Sequence, residues 1–218
     1  MSIDKKYIDY FVNVTSKAAL ASSYLVGKKD KIAADKVATD AMRLELNKIE
    51  MNGKIVIGEG ELDESPMLYI GELVGKKIGP NFDIAVDPLE GTNFAANNLP
   101  GALSVIAVAE KNNLFGAPET YMDKIAVGKN IPKDVIDLDF SIKKNIENLA
   151  EFNNKSPNNL TACLLDRPRH KKQIEELKKL KVKLKLISDG DISGALLVSD
   201  EKYGVDIFLG IGGGPEGV

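Results

Sequence analysis

The sequence is poor in the residues that disulfides, soft metal sites and nucleic-acid surfaces need. It has one cysteine, one histidine and no tryptophan in 218 residues, so an intramolecular disulfide is impossible and a thiolate metal site is disfavoured. Cys163 lies in the apolar run 160–165, which favours a buried structural thiol. The formal charge of −3 argues against a global basic field for nucleic acid or an anionic membrane.

Long hydrophobic runs are also absent. No apolar run approaches the ~18 residues of a membrane span, and the start, Met1 to Lys6, shows no apolar stretch with a small-residue cleavage site. We therefore predict a cytoplasmic protein that binds neither membrane nor nucleic acid. With 44% hydrophobic and 28% charged residues the composition is that of a globular protein, in which local cations or backbone N–H groups must meet any anionic substrate.

Hydrophobic periodicity predicts helices and then short strands in the first part of the chain. Helical patterns cover residues 3–25 and 30–49, and a third, short helix is expected from residue 65 to Gly75. The second of the following strands is expected to stop at Asp87-Pro88, and the third is apolar enough to be buried on both faces. The predicted strands are the runs 54–57, 82–86 and 102–109.

The rest of the chain alternates between strands and helices. The polar stretch 153–159 follows a helical pattern and is the best candidate for a boundary, so we predict lobes of residues 1–155 and 156–218. The second lobe reads as strand 160–165, helix 170–180, strand 182–187, helix 192–198 and strand 205–209. This β-α-β-α-β order implies an α/β fold with parallel strands and right-handed crossovers.

Polar loops follow five of the predicted strands. Open α/β sheets bind ligands beyond the carboxyl ends of their strands, so these loops are expected to meet at one edge. Converging carboxylates need cations, and oxygen ligands without cysteine favour Mg²⁺ or Mn²⁺, two of which can activate a water on a phosphoester. The loops carry Glu59 and Asp63; Asp87 and Glu90; Asp166 to His170; Asp189 to Asp191; and the glycine-rich segment Gly210 to Gly217.

The acidic loop carries a specific family resemblance. The segment Asp87-Pro88-Leu89-Glu90-Gly91-Thr92 resembles the Asp-Pro-x-(Asp/Glu)-Gly-(Ser/Thr) signature of lithium-sensitive, metal-dependent sugar and inositol phosphatases, and the chain as a whole resembles their class II fructose-1,6-bisphosphatase family. The resemblance implies a layered α-β-α-β-α sandwich. It also implies a second lobe that is truncated at its C-terminus, since the family continues beyond Gly-Pro-Glu-Gly. The matching segments are Asp35, 57–73, 83–92, 117–128, 167–170, 189–191 and 210–218.

The same resemblance implies a role for particular residues. Asp63 with Thr92 would orient and deprotonate the attacking water, and Lys31 would lie close to the metal cluster. Two or more Mn²⁺ or Mg²⁺ ions would be held by Asp35, Glu59, Asp87, Glu90 and Glu216. The sugar bisphosphate would be bound by Glu90, Gly91, Thr92, Tyr121, Arg167, Pro168, Arg169, Asp189, Gly190, Asp191 and Gly213.

The implied activity is hydrolysis of the 1-phosphate of fructose 1,6-bisphosphate to fructose 6-phosphate, as in gluconeogenesis. Sedoheptulose 1,7-bisphosphate and inositol-type phosphates are the nearest alternative substrates. A non-enzymatic alternative is that the chain is an inactive sugar-phosphate-binding protein, or a fragment that needs a second chain to complete its fold. We also expect a homo-oligomer, a dimer or a tetramer.

Several of these residues also have structural explanations. Lys31 and Asp35 lie four residues apart on a predicted helix, where an exposed ion pair contributes only about 0.3–0.5 kcal/mol. Tyr121 is equally explained by packing. His170 opens a lysine-rich helix and is predicted to be a capping or surface residue rather than a metal ligand. The run Gly210–Gly214 follows the last predicted strand without a helix behind it, which argues against a dinucleotide site.

Overall fold

Eight strands and six α-helices lie within residues 3–58, 67–118 and 120–218, the parts of the chain that the computed structural model describes. These residues form two compact units: unit 1 contains residues 3–58, 67–118 and Val218, and unit 2 contains residues 120–217. Each unit has its own four-stranded mixed sheet with flanking helices, so the predicted α/β class is confirmed. None of the helices within these ranges is long and apolar enough to cross a membrane.

Unit 1 is a four-stranded sheet with two long helices and one short helix. The strand order is β2-β1-β3-β4, with β1 and β3 parallel and the other pairs antiparallel. Its elements are α1 (Lys5–Ser23), α2 (Lys31–Leu46), β1 (Asn52–Ile57), β2 (Leu73–Val74), β3 (Asn81–Glu90), α3 (Thr92–Ala96) and β4 (Leu103–Glu110).

Local capping and one apolar stripe explain the two long helices. The side chains of Asp4 and Asp30 accept hydrogen bonds from the first-turn N–H groups of α1 and α2, which satisfies donors that a helix start leaves open. On the buried side of α1, Tyr7 and Phe11 pack edge-to-face against Phe82 of β3, with ring centroids 5.1 and 6.0 Å away. These apolar side chains therefore anchor α1 on the sheet that carries the acidic signature, the segment from Asp87 to Thr92.

Three predictions for unit 1 differ from the structure. Strand β3 does not stop at Asp87-Pro88 but continues to Glu90, because a bulge between Asp87 and Glu90 accommodates the proline within the strand. Strand β4 is half-buried rather than buried on both faces, since it is an edge strand of the sheet. The helix predicted from residue 65 to Gly75 is wrong for its described residues, which include β2 instead.

Unit 2 contains the predicted β-α-β-α-β segment and one further strand. Strand β6 is parallel to both β7 and β8, as predicted, and β5 pairs antiparallel with β8 to give the order β5-β8-β6-β7. The elements are β5 (Tyr121–Val127), α4 (Ile142–Phe152), β6 (Thr161–Leu165), α5 (Lys171–Lys179), β7 (Lys183–Ile187), α6 (Asp191–Leu196) and β8 (Ile207–Gly213).

The pairing of β5 with β8 explains why the compact units divide at 118/119 and not at 155/156, where the lobes were predicted to meet. Helix α4 also belongs to unit 2, because Leu149 packs in one buried cluster with Leu164 and Ile207 of the sheet. Burying such side chains contributes roughly 1.5–3 kcal/mol each. The roles assigned to the two lobes remain predictions.

Candidate active site

The acidic signature lies at the bulged end of β3 in unit 1. The backbone N–H of Leu89 donates a hydrogen bond of 3.0 Å to Oδ1 of Asp87, which fixes the half-buried carboxylate beside Pro88. Glu90 is the last residue of the strand and only 5% exposed. The bulge therefore brings two acidic side chains to the same end of β3.

Gly91 turns the chain from β3 directly into α3. Its φ of +76° lies in the left-handed region, and a Cβ at this position would approach the ring of Phe94 to 2.7 Å. Glycine is the residue that tolerates both constraints. Thr92 is consequently the first residue of α3 and is half-buried, two residues after the end of β3. The role of its hydroxyl remains a prediction.

Helix α2 carries one more predicted metal ligand of unit 1, Asp35, and the predicted catalytic residue Lys31. It packs on both β3 and α3. Asp35 lies in its second turn and is half-buried, whereas Lys31 is its first residue and exposed. The structure therefore places Asp35 on an element that contacts the signature strand, and leaves the role of Lys31 a prediction.

Two predicted site residues, Glu59 and Asp63, lie outside the described residues. The donor chemistry of the described acids, Asp35, Asp87, Glu90 and Glu216, fits a hard divalent cation because all are carboxylates. Within residues 3–58, 67–118 and 120–218, no group of three or more His, Cys, Asp or Glu side chains is close enough to hold a metal ion. The predicted ligand set is thus not assembled by the described residues by themselves.

In unit 2, three of the predicted substrate-binding residues, Tyr121, Arg169 and Gly213, lie close together. Tyr121 opens β5 opposite Gly213 in the antiparallel pairing with β8. The guanidinium of Arg169 lies over the Tyr121 ring at 5.0 Å from its centroid, and its Nε donates to the backbone oxygen of Ile211 at 2.5 Å. The Tyr121 ring is otherwise exposed, so packing in a core does not account for its position.

Arg167 and Asp189 connect the loops after β6 and β7. Nη2 of Arg167 lies 3.3 Å from Oδ1 of Asp189, and both side chains remain partly exposed. Gly190 has a φ of +83° and precedes α6, which begins at Asp191. Pro168 opens the single helical turn after Arg167. The predicted substrate-binding residues of the two loops therefore follow neighbouring parallel strands.

A lysine that sequence reasoning missed lies between two of the predicted site acids. Nζ of Lys124 is 2.9 Å from Oδ2 of Asp191 and 2.6 Å from Oε2 of Glu216. Burial, followed by the neighbouring Asp191, raises the pKa of Glu216 to about 7, and Lys124 opposes that change. Burial acts to raise the pKa of Asp191 too, but hydrogen bonds with Glu216 and Lys124 outweigh it and lower that pKa.

His170 has a structural role that the sequence did not indicate. It occupies the N-cap position of α5, as predicted, although its side chain makes no capping hydrogen bond. It is fully buried, so the surface alternative is wrong. Its Nε2 accepts a hydrogen bond from the backbone N–H of Ile211 at 2.9 Å, and Nδ1 therefore carries the proton donated to the carbonyl of Leu165 at 2.7 Å. The imidazole thus ties the end of β6 to β8, with a backbone partner at each ring nitrogen.

The sequence signals for these two residues were weak. Lys124 lies on a short strand, Tyr121–Val127, whose central residues are mixed in polarity, and no predicted strand covered it. Its acidic partners lie 67 and 92 residues further along the chain. The buried thiol was predicted correctly: Cys163 is free and buried, and burial raises its pKa to about 11.

Comparison with known proteins finds one family whose sequence model matches nearly the whole chain. A sequence model of the family described as "Bacterial fructose-1,6-bisphosphatase, glpX-encoded" matches residues 5–218. The fructose-1,6-bisphosphatase class 2 proteins of Haemophilus influenzae and Escherichia coli are each 45% identical over 208 residues, which is 95% of this chain and 62% of theirs. A Prochlorococcus marinus protein named D-fructose 1,6-bisphosphatase class 2/sedoheptulose 1,7-bisphosphatase is 43% identical over 216 residues, 99% of this chain and 64% of its own. The chain thus spans less than two thirds of these relatives.

Proposed function

Since this chain belongs to the bacterial, class II fructose-1,6-bisphosphatase family, we propose that it is a metal-dependent phosphatase that hydrolyses the 1-phosphate of fructose 1,6-bisphosphate to fructose 6-phosphate. The observation that carries the proposal is the bulged strand end of β3, where Asp87 and Glu90 directly precede Gly91 and Thr92. The proposal includes a cytoplasmic location and a role in gluconeogenesis.

The proposed metal ligands are Asp35, Asp87 and Glu90 in unit 1, together with Glu59 and Glu216. Two or more Mn²⁺ or Mg²⁺ ions bound there would polarise the phosphoryl oxygens and lower the pKa of a bound water. The backbone N–H of Leu89 supports this assignment, because it holds one oxygen of Asp87 and so fixes the direction of the other.

Thr92 and Asp63 are proposed to orient the attacking water. A threonine hydroxyl can accept a hydrogen bond from the water while donating its own proton to a carboxylate such as that of Asp63. The position of Thr92, two residues after the buried acid Glu90, supports this role. Lys31 is proposed to add positive charge for the phosphate that is removed.

Unit 2 is proposed to bind the sugar bisphosphate. Arg169 is held over Tyr121 and presents a planar set of donors that suits a phosphate. Arg167 offers the same chemistry on the neighbouring loop, while Asp189 and Asp191 would accept hydrogen bonds from sugar hydroxyls. Gly190 and Gly213 would let backbone N–H groups approach the ligand closely, as Gly91 would in unit 1. Pro168, which has no N–H, would fix the backbone between the two arginines.

The test is phosphate release in Mn²⁺ from a panel of phosphoesters, with an EDTA blank. We expect release from fructose 1,6-bisphosphate and none from fructose 6-phosphate, because the 1-phosphate is the one removed. Absence of release from every sugar bisphosphate, with calorimetric binding of fructose 1,6-bisphosphate retained, would instead establish the inactive sugar-phosphate-binding alternative. Release from inositol 1-phosphate alone would contradict the proposed substrate class.

Sedoheptulose 1,7-bisphosphate is a second proposed substrate, because relatives 42–44% identical to this chain carry both activities in their names. Its inclusion in the same panel tests this directly. The proposed homo-oligomer, a dimer or tetramer, is tested by light scattering of the purified protein. Mass analysis of the same sample detects a second chain if one completes the functional unit.

A further inference from the structure

The two acidic side chains near the end of β8 share a single ammonium group. Nζ of Lys124 lies 2.9 Å from Asp191 and 2.6 Å from Glu216, both short enough for charge-assisted hydrogen bonds. The side chains of Lys124 and Asp191 are 11% and 4% exposed, and that of Glu216 is 35% exposed. The cluster brings two acidic side chains to one ammonium group, and its most exposed member is the glutamate.

The glycines of β8 make room for this cluster. Lys124 stands opposite Gly210 in the pairing of β5 with β8. A Cβ at Gly212 would overlap Oδ2 of Asp191 and lie 3.1 Å from Nζ of Lys124. Strand β8 therefore has no side chain at the point where the ammonium and the aspartate meet, and the ion pair lies directly against its backbone.

We propose that Lys124 is a positioning residue: it is the resident counter-cation of Asp191 and Glu216, and it gives up Glu216 when a divalent metal ion binds. The inference rests on the proposed function, in which Glu216 is a metal ligand and Asp191 binds the sugar. The ammonium of a lysine is a point charge on a flexible stem, so it can remain on the buried Asp191 while the more exposed Glu216 changes partner.

Two consequences follow from Coulomb's law. Without Lys124, the two carboxylates lie side by side with no ammonium between them, so the metal-free protein loses stability. A metal ion that approaches Glu216 no longer competes with the ammonium and is no longer repelled by it. Lys124 therefore stabilises the metal-free protein and weakens metal binding, and these two effects have opposite signs.

The test compares Lys124→Met and Lys124→Arg with Lys129→Met, a control at an exposed lysine of the same unit. Mn²⁺ binding is measured by calorimetry, and urea unfolding is followed in EDTA. We expect Lys124→Met to bind Mn²⁺ about tenfold more tightly, the lower end of the effect of removing an adjacent charge, and to unfold at a lower urea concentration. Lys124→Arg keeps the charge and should stay near the wild type in both measurements.

A third variant separates failure of this inference from failure of the proposed function. Glu216→Gln should weaken Mn²⁺ binding, and adding Lys124→Met to it should change the affinity little further. If Glu216→Gln weakens binding while Lys124→Met binds Mn²⁺ no more tightly than Lys129→Met, the role of Lys124 is refuted and the ligand assignment stands. If Glu216→Gln leaves Mn²⁺ binding unchanged, the assignment of Glu216 itself fails. Should Lys124→Met not fold, the affinity of Lys124→Gln, which keeps a donor but no charge, decides instead.

Discussion

The predicted site residues of unit 1 are held by the backbone, whereas those of unit 2 are held by one another. In unit 1, a bulge, a left-handed glycine and the N–H of Leu89 fix the acidic signature. In unit 2, Lys124 holds two acids and Arg169 lies over Tyr121. Backbone geometry keeps a charge in place whatever its neighbours are, but a network of side chains depends on every member. Substitutions in the two units should therefore fail in different ways.

The largest effect is expected for Asp87→Asn in unit 1. The amide oxygen can still accept the hydrogen bond from Leu89, so the fold is kept while the negative charge is lost. Loss of a metal-ligating charge should lower Mn²⁺-dependent phosphate release at least about 100-fold, with an unchanged urea midpoint. The control is Asp9→Asn on the exposed side of α1. Retention of half the activity would mean that Asp87 is not a ligand.

In unit 2, Gly212→Ala should damage both binding and stability. The new Cβ would overlap Asp191, so the carboxylate must move off β8, and overpacking of this kind costs about 1–3 kcal/mol. We expect KM for fructose 1,6-bisphosphate to rise about tenfold and the urea midpoint to fall. Gly213→Ala is the control for stability, because its Cβ would come no closer than 3.5 Å to Glu216. Equal urea midpoints for the two variants would contradict the crowding at Gly212.

A smaller effect is expected from pH in the metal-free protein. Because the pKa of Glu216 is raised to about 7 from 4.5, its contribution to stability is complete below about pH 4.5 and is lost as the pH rises through 7. The pKa of Asp191 is lowered, so its contribution is present above its ordinary value of 3.8 and is lost as the pH falls below it. The contribution of this pair to the free energy of unfolding is thus greatest above about pH 3.8 and well below pH 7.

Urea unfolding in EDTA at pH 5.5 and pH 8 measures this dependence. We expect a loss of about 1 kcal/mol on going to pH 8, less than full linkage would give because a third of the Glu216 side chain is exposed. Glu216→Gln should remove that part of the pH dependence. A wild-type loss that persists unchanged in Glu216→Gln would assign it to another group.

The smallest effect is expected where a charge pair of unit 2 is exposed. Lys143 and Glu147 lie one turn apart on α4, with Nζ and Oε1 3.7 Å apart and both side chains more than half exposed. Glu147→Gln should lower the free energy of unfolding by only about 0.3–0.5 kcal/mol and leave phosphate release unchanged. A larger loss of unfolding free energy would show that an exposed pair can contribute as much as the buried Lys124 cluster, so burial would not explain the difference between them.

Much of the fold followed from local patterns. The period of apolar residues predicted both long helices of unit 1, and the alternation of strands and helices predicted the parallel pairing of β6 with β7 and β8. The extension of β3 through Pro88 was not predictable, because proline usually ends a strand and the bulge that accommodates it depends on the register with β4. The same limit applies to β5, whose pairing with β8 joins residues about 90 positions apart.

The sequence by itself determined the acidic signature, its order along the chain and the family to which it belongs, because those properties reside in consecutive residues. Only the tertiary structure decided that Lys124 lies between Asp191 and Glu216 and that His170 ties β6 to β8. Ion pairs and hydrogen bonds act over a few ångströms of space regardless of separation along the chain. A lysine 92 residues from its glutamate therefore carries no local signal of the partner that folding gives it.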